Sequence, residues 1–299
     1  MQIAGPITRT LTPGLDTGAR LERRRQLLCL GLAAPALLAL GVFLFYPVVR
    51  LLLRSVFDPS PTLDNYVRAF AVPQYLGVLW YTLQTSVTVT ILCLVLGYPL
   101  AYALAEARGS ARSVMLVFLL LPFWTSIMVR TYAWMVILGD QGLINTWLLQ
   151  LGIISRKLPL LFNSFAVHVG MVHYLLPFAV LPMFSIMVRL DRTLLRAAQS
   201  LGAGPWHVFW RVYLPLSLPG VLAGALLVFI LATGFFVTPS QLGGRSDVMV
   251  AQLIQLQIMR FTNWGFGGAL AVLLLVLVAL ALLLYSRVGR LSTLWGMGE

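Results

Sequence analysis

Residues 266–286 read FGGALAVLLLVLVALALLLYS, twenty-one positions without a charged side chain. A helix rises about 1.5 Å per residue, so such a run crosses the roughly 30 Å hydrocarbon core of a bilayer. Five more apolar runs precede it, at about 27–53, 78–104, 114–138, 166–188 and 220–238. Over the whole chain 60% of residues are hydrophobic and only 10% charged, where a soluble domain carries about 25% charged residues. In lipid every backbone polar group needs an internal partner, so only helices or a closed barrel can span. These runs are too long for barrel strands and do not alternate. The expected fold is therefore an all-α integral membrane bundle of six transmembrane helices.

The net charge of +12 would suggest nucleic acid in a soluble protein. Here Lys157 is the only lysine, and a topological reading of the arginines serves better. With the N-terminus inside, the inner segments hold thirteen basic residues: Arg9, Arg20, Arg23, Arg24, Arg25, Arg108, Arg112, Arg189, Arg192, Arg196, Arg211, Arg287 and Arg290. The outer segments hold seven: Arg54, Arg68, Arg130, Arg156, Lys157, Arg245 and Arg260. Both termini are thus expected in the cytoplasm, as tails 1–26 and 291–299 around a membrane domain 27–290. Basic residues ahead of an apolar run can also mark a cleaved signal. The run continues well past Ala34-Pro35-Ala36, which favours a retained helix.

The charged segment 189–219, between spans four and five, has the most specific pattern. Asp191 reads as a helix N-cap and Gly202 as the residue just past the end. Between them Leu194, Ala198 and Leu201 share one face, Leu195 and Arg196 fill the turns, and Ala197, Ala198 and Gly202 allow close approach. Gly204-Pro205 can open a second helix, because Pro suits the first helical position. Such an arrangement suits contact with another protein.

The pattern Ala197-Ala198, Gly202, then Val212-x-Leu214-Pro215 resembles the "EAA" loop of ABC-importer permeases. In that family the loop forms a coupling helix that docks on the ATP-binding subunit, which implies docking here through Asp191, Leu194, Leu195, Arg196, Ala197, Ala198, Leu201, Gly202 and Pro205. The family's Glu ahead of the Ala pair is Arg196 here, so the docking role carries over and the ionic contact does not. Elsewhere Leu96-Gly97-Tyr98-Pro99, Leu121-Pro122-Phe123-Trp124-Thr125-Ser126, Gly142-Leu143-Ile144-Asn145, Leu175-Leu176-Pro177-Phe178 and Leu242-Gly243-Gly244 resemble the spermidine/putrescine-type branch. The resemblance implies a type I ABC importer permease in the cytoplasmic (inner) membrane. Its implied partners are a pair of ATP-binding subunits holding ATP and Mg, a second permease and an external solute-binding protein. No cofactor, metal or nucleic acid is expected on this chain, which has no phosphate-cradling GxxxxGK[ST] loop.

Candidate pathway residues are Phe123, Trp124, Thr125, Arg130, Tyr132 and Trp134, in or beside the third run. Their aromatics read equally as an interfacial belt. Prolines 99, 122, 177 and 182 suggest broken helices, or ordinary kinks. The spans contain no acidic residue, which a polycation site would be expected to use beside aromatic faces. Another solute therefore stays open: an amino-acid derivative, organic anion, phosphonate or metal complex. A stand-alone secondary transporter would need midplane ionisable groups and repeats. An intramembrane enzyme would need a catalytic pair; His168 and His173 lie five apart, off the spacing of one-face ligands.

Overall fold

The computed structural model describes residues 28–29, 31–58 and 60–294. The expected N-terminal tail 1–26 with its five arginines, and residues 295–299 of the expected C-terminal tail, lie outside the described residues. The described elements are helical throughout, with no strand among them. The chain divides into two compact units, residues 1–53 and 54–299. In the first, helix α1 begins at Gly31 within a continuous run to Phe57. It widens to π geometry at Gly41–Phe45, and large apolar side chains such as Leu32 and Phe43 stay exposed. A surface this apolar needs lipid or a partner around it.

The second unit contains α2 (Asp64–Ala71), α3 (Pro73–Glu106), α4 (Ser110–Leu120), α5 (Ile127–Leu138) and α6 (Leu143–Gln150). It continues with α7 (Ser164–Met187), α8 (Arg192–Ser200), α9 (Pro205–Thr233), α10 (Val237–Leu242), α11 (Val250–Met259) and α12 (Trp264–Leu294). Its core is the triad α3, α7 and α9, filled by Val89, Cys93, Met171, Leu175, Met183 and Val228. Small residues set how closely these helices approach, as expected where lipid supplies no hydrophobic drive between them. A Cβ built on Gly224 of α9 would stand 2.8 Å from the Ala179 carbonyl oxygen of α7. One built on Gly97 of α3 would stand 3.1 Å from the end of the Met183 side chain.

Most expected spans correspond to one helix each, with two differences. The run 114–138 is not straight. It comprises α4, a 3₁₀ turn Leu121–Trp124 and α5, and the chain bends there by 100°. Pro122 removes a donor, and Thr125 and Ser126 are extended. Hydropathy has no memory of direction, so the run looked continuous. Of the four prolines that suggest either broken helices or ordinary kinks, Pro122 sits at a break, and Pro99, Pro177 and Pro182 lie inside continuous helices. The second difference is that the fifth helix starts at Pro205, inside the expected loop 189–219. Its turn Phe209–Tyr213 widens to π geometry, with the Leu214 N–H bonded to the Phe209 carbonyl. The wide turn lets the helix pass Pro215, whose ring would clash with a carbonyl four residues back.

Candidate functional site

The two candidate regions lie in different parts of the second unit. At the first, Asp191 caps α8: its carboxylate accepts the Thr193 N–H at 2.8 Å. That bond holds the Asp191 carboxyl below the usual carboxylate range. The cap is therefore complete above that range and loosens as pH falls through the lowered value. At the other end Gly202 has φ +88°, where a side chain would be strained. Its N–H bonds to the Gln199 carbonyl at 2.9 Å, and that of Ala203 to the Ala198 carbonyl at 3.1 Å. This pair of bonds is a Schellman stop. Gly204 then ends the turn, and Pro205 opens α9.

A helix of nine residues is too short to hold itself in water, so these caps and its seat on the bundle fix α8. The seat is Leu195, half-buried beside the core, with Ala198 also half-buried. Leu194, Arg196, Ala197 and Pro205 are exposed, and Leu201 is 89% exposed. Beside them Trp206 is 71% exposed, stacked with its ring centroid 6.3 Å from that of Phe209. The expected face of Leu194, Ala198 and Leu201 is thus divided: the two leucines point away from the bundle, and Ala198 is partly covered. Around this turn Leu194, Leu201 and Trp206 leave apolar surface exposed, Trp206 touching only the rings of Phe209 and Trp210 among the described residues.

Arg192, the first residue of α8, donates to the Glu106 carboxylate at 2.8 Å. The bond to Glu106 raises its pKa above the ordinary arginine value. Glu106 and Arg112 were not singled out from sequence; they stand 86 and 80 positions from Arg192, and only the fold joins them.

The second region is the break between α4 and α5. Arg130 reaches back over it and donates to the Pro122 carbonyl, to the Thr125 carbonyl at 2.8 Å and to the Thr125 hydroxyl at 3.2 Å. Its guanidinium also lies 4.9 Å from the ring centroid of Tyr174. Carbonyls freed by the broken helix are thereby satisfied, which is the requirement for irregular backbone at membrane depth. Phe123, Thr125 and Arg130 line a cavity of about 200 Å³ with Tyr174 and Phe178. The other three candidates are elsewhere. Trp124 and Tyr132 are exposed, and Trp134 donates its indole N–H to His173 Nδ1 at 3.2 Å. Phe123 begins a row of rings along the cavity that continues through three residues not marked from sequence, Phe178, Tyr174 and Phe235. Phe123 and Phe178 stand 5.0 Å apart, Phe178 and Tyr174 6.1 Å, and Tyr174 and Phe235 5.0 Å. The i, i+4 spacing of Tyr174 and Phe178 on α7 was the available signal.

The sequence model of the "Binding-protein-dependent transport system inner membrane component" family matches residues 93–291. A spermidine/putrescine transport system permease protein of Haemophilus influenzae is 40% identical over 77% of this chain and 80% of its own. Its counterpart in Escherichia coli K12 is 39% identical over 77% of this chain and 83% of its own. A molybdenum transport system permease protein of Mycobacterium bovis is 30% identical over 81% and 88%. Among solved structures, a chain of a bacterial alginate ABC transporter shares the fold with a TM-score of 0.70 and 17% identity, over 90% of this chain and 96% of that one.

Proposed function

The chain belongs to the family of binding-protein-dependent transport system inner membrane components, and from that premise we propose that it passes a polyamine of the spermidine or putrescine kind. It is a permease subunit of an ATP-driven ABC importer, a multi-pass protein of the inner membrane and not an enzyme. ATP hydrolysis belongs to a separate subunit of such a system.

In our reading the patch of Leu194, Ala197, Leu201 and Trp206 docks on that ATP-binding subunit, present as a pair that holds ATP and Mg. The single observation behind it is that α8 is capped at both ends yet leaves Leu194, and Leu201 just past its end, uncovered. A flexible loop would not present them in fixed positions. The arginine count supports both termini in the cytoplasm, which puts α8 on the same side as ATP. A second permease completes the pathway, and an external binding protein delivers the solute. Closure of the ATP-binding pair then moves α8, and the bundle shifts between outward-open and inward-open populations.

The polyamine assignment rests on the 40% identity to the spermidine/putrescine permeases. The row Phe123, Phe178, Tyr174 and Phe235 offers the faces a cation would use, and Arg130 already occupies one. One observation favours a second reading, a small anion. Arg130 brings positive charge to the cavity, while the spans hold no acid apart from Glu106 at the end of α3. ATP hydrolysis by the reconstituted complex, with its binding protein, separates the two. The rate is expected to rise with spermidine or putrescine and to stay basal with small anions and amino acids. A response to an anion and to no polyamine would transfer the assignment to the second reading.

A further inference from the structure

The inner end of α3 is held by arginines from two other helices. Arg192 of α8 bonds to the Glu106 carboxylate at 2.8 Å and to the Ala105 carbonyl at 3.4 Å. Arg112 of α4 bonds to the Leu104 carbonyl at 3.2 Å, the Ala105 carbonyl at 3.2 Å and the Ala107 carbonyl at 2.9 Å. The Ala105 carbonyl is thus shared between the two guanidiniums. Next to this junction, Tyr102 of α3 meets Tyr213 of the widened α9 turn, ring centroids 5.1 Å apart. The Tyr213 hydroxyl is buried with no hydrogen-bond partner among the described residues.

The charges run against local helix preference. A helix favours an acid in its first turn and a base in its last. Glu106 is the last residue of α3, and Arg192 is the first of α8. Each charge therefore opposes the dipole of its own helix, and neither is explained by the stability of the helix that carries it. What they supply is a link between helices. The Arg192–Glu106 pair is half-exposed, so it can break and re-form without stranding a buried charge.

We propose that Arg192, Glu106 and Arg112 form the joint through which movement of α8 reaches the transmembrane helices α3 and α4. The inference rests on the reading that α8 docks on the ATP-binding subunit. Arg192 and Glu106 are positioning residues: they act through each other, fixing how far α8 can move before α3 must follow.

The test uses the complete reconstituted importer with two readouts, the amount of ATP-binding subunit recovered with the chain and the ATP hydrolysed per solute carried. Glu106→Gln keeps the shape and removes the charge. It is expected to leave recovery unchanged and to raise ATP consumed per solute about threefold, the size appropriate to an exposed pair. The exchange Glu106→Arg with Arg192→Glu restores a pair and also suits both helix dipoles. It is expected to return the ratio to the wild-type value. If Glu106→Gln lowers the amount of inserted chain, Arg192→Lys, which keeps the charge and loses the fork, is read in its place. An unchanged ratio in the single variant would overturn the proposal, as would a raised ratio that the exchange does not restore. Failure of the docking reading is separate: it would appear as undiminished recovery of the ATP-binding subunit from Leu201→Arg.

Discussion

Leu201→Arg is expected to reach the membrane at wild-type levels and to recover at most about one-thirtieth of the ATP-binding subunit that the wild-type chain recovers. The side chain is 89% exposed, so the bundle loses no packing when it is changed. The preceding cap is also untouched, since the bonds of the stop are made by the backbone of residues 197–203. What changes is the most exposed leucine of the proposed docking face, where an anchor buried by a partner contributes about 2 kcal/mol or more. The measurement is co-purification in mild detergent, with the amount of inserted chain as its control. Arg196 is a weaker probe, because its exposed side chain is charged and solvated rather than an apolar anchor.

Gly224→Leu is expected to fail at an earlier stage, by preventing α7 and α9 from packing. Its Cβ alone would stand 2.8 Å from the Ala179 carbonyl oxygen and 3.4 Å from the Ala179 Cα. Both are backbone atoms and cannot swing aside. Overpacking of this kind costs about 1–3 kcal/mol. The cost falls on the central contact of the bundle, where interiors transmit strain rather than absorb it. Gly77→Ala is the matched control, since nothing lies within 4 Å of its added Cβ and Ala is the better helix former by about 0.5–1 kcal/mol. Thermal unfolding in detergent should show a lower midpoint for the first substitution and an equal or higher one for the second.

The two substitutions act on features of different legibility. The positions of α3, α7 and α12 could be read from hydropathy, because apolar length is what the bilayer selects. The caps of α8 could be read as well. Asp191 and Gly202 are chemical signals confined to a few residues, and the structure uses them as such. The bend between α4 and α5 could not. A run of apolar residues is equally apolar on both sides of a 100° turn, and Pro99, Pro177 and Pro182 show that proline alone does not decide where a helix breaks. At Pro122 the break is held by Arg130, a residue the sequence offered as a pathway candidate. Most of its donors go to the Pro122 and Thr125 carbonyls and the Thr125 hydroxyl. The pathway candidates separated as well: Phe123, Thr125 and Arg130 line the cavity at the bend, and Trp124, Tyr132 and Trp134 do not. Least legible was the junction of Glu106, Arg112 and Arg192, whose partners are far apart in sequence and whose charges oppose the rules for their own helices.

The central claim is that this bundle carries solute only on energy delivered through α8. Uptake of labelled solute into proteoliposomes tests it most directly, with the full importer on one side of the comparison and this chain alone on the other. Uptake by the full importer is expected to require ATP and to disappear when residues 191–203 are replaced by a flexible linker, and the chain alone is expected to take up none under any ion gradient. Gradient-driven uptake by the chain alone, or ATP-driven uptake that survives the linker, would contradict it.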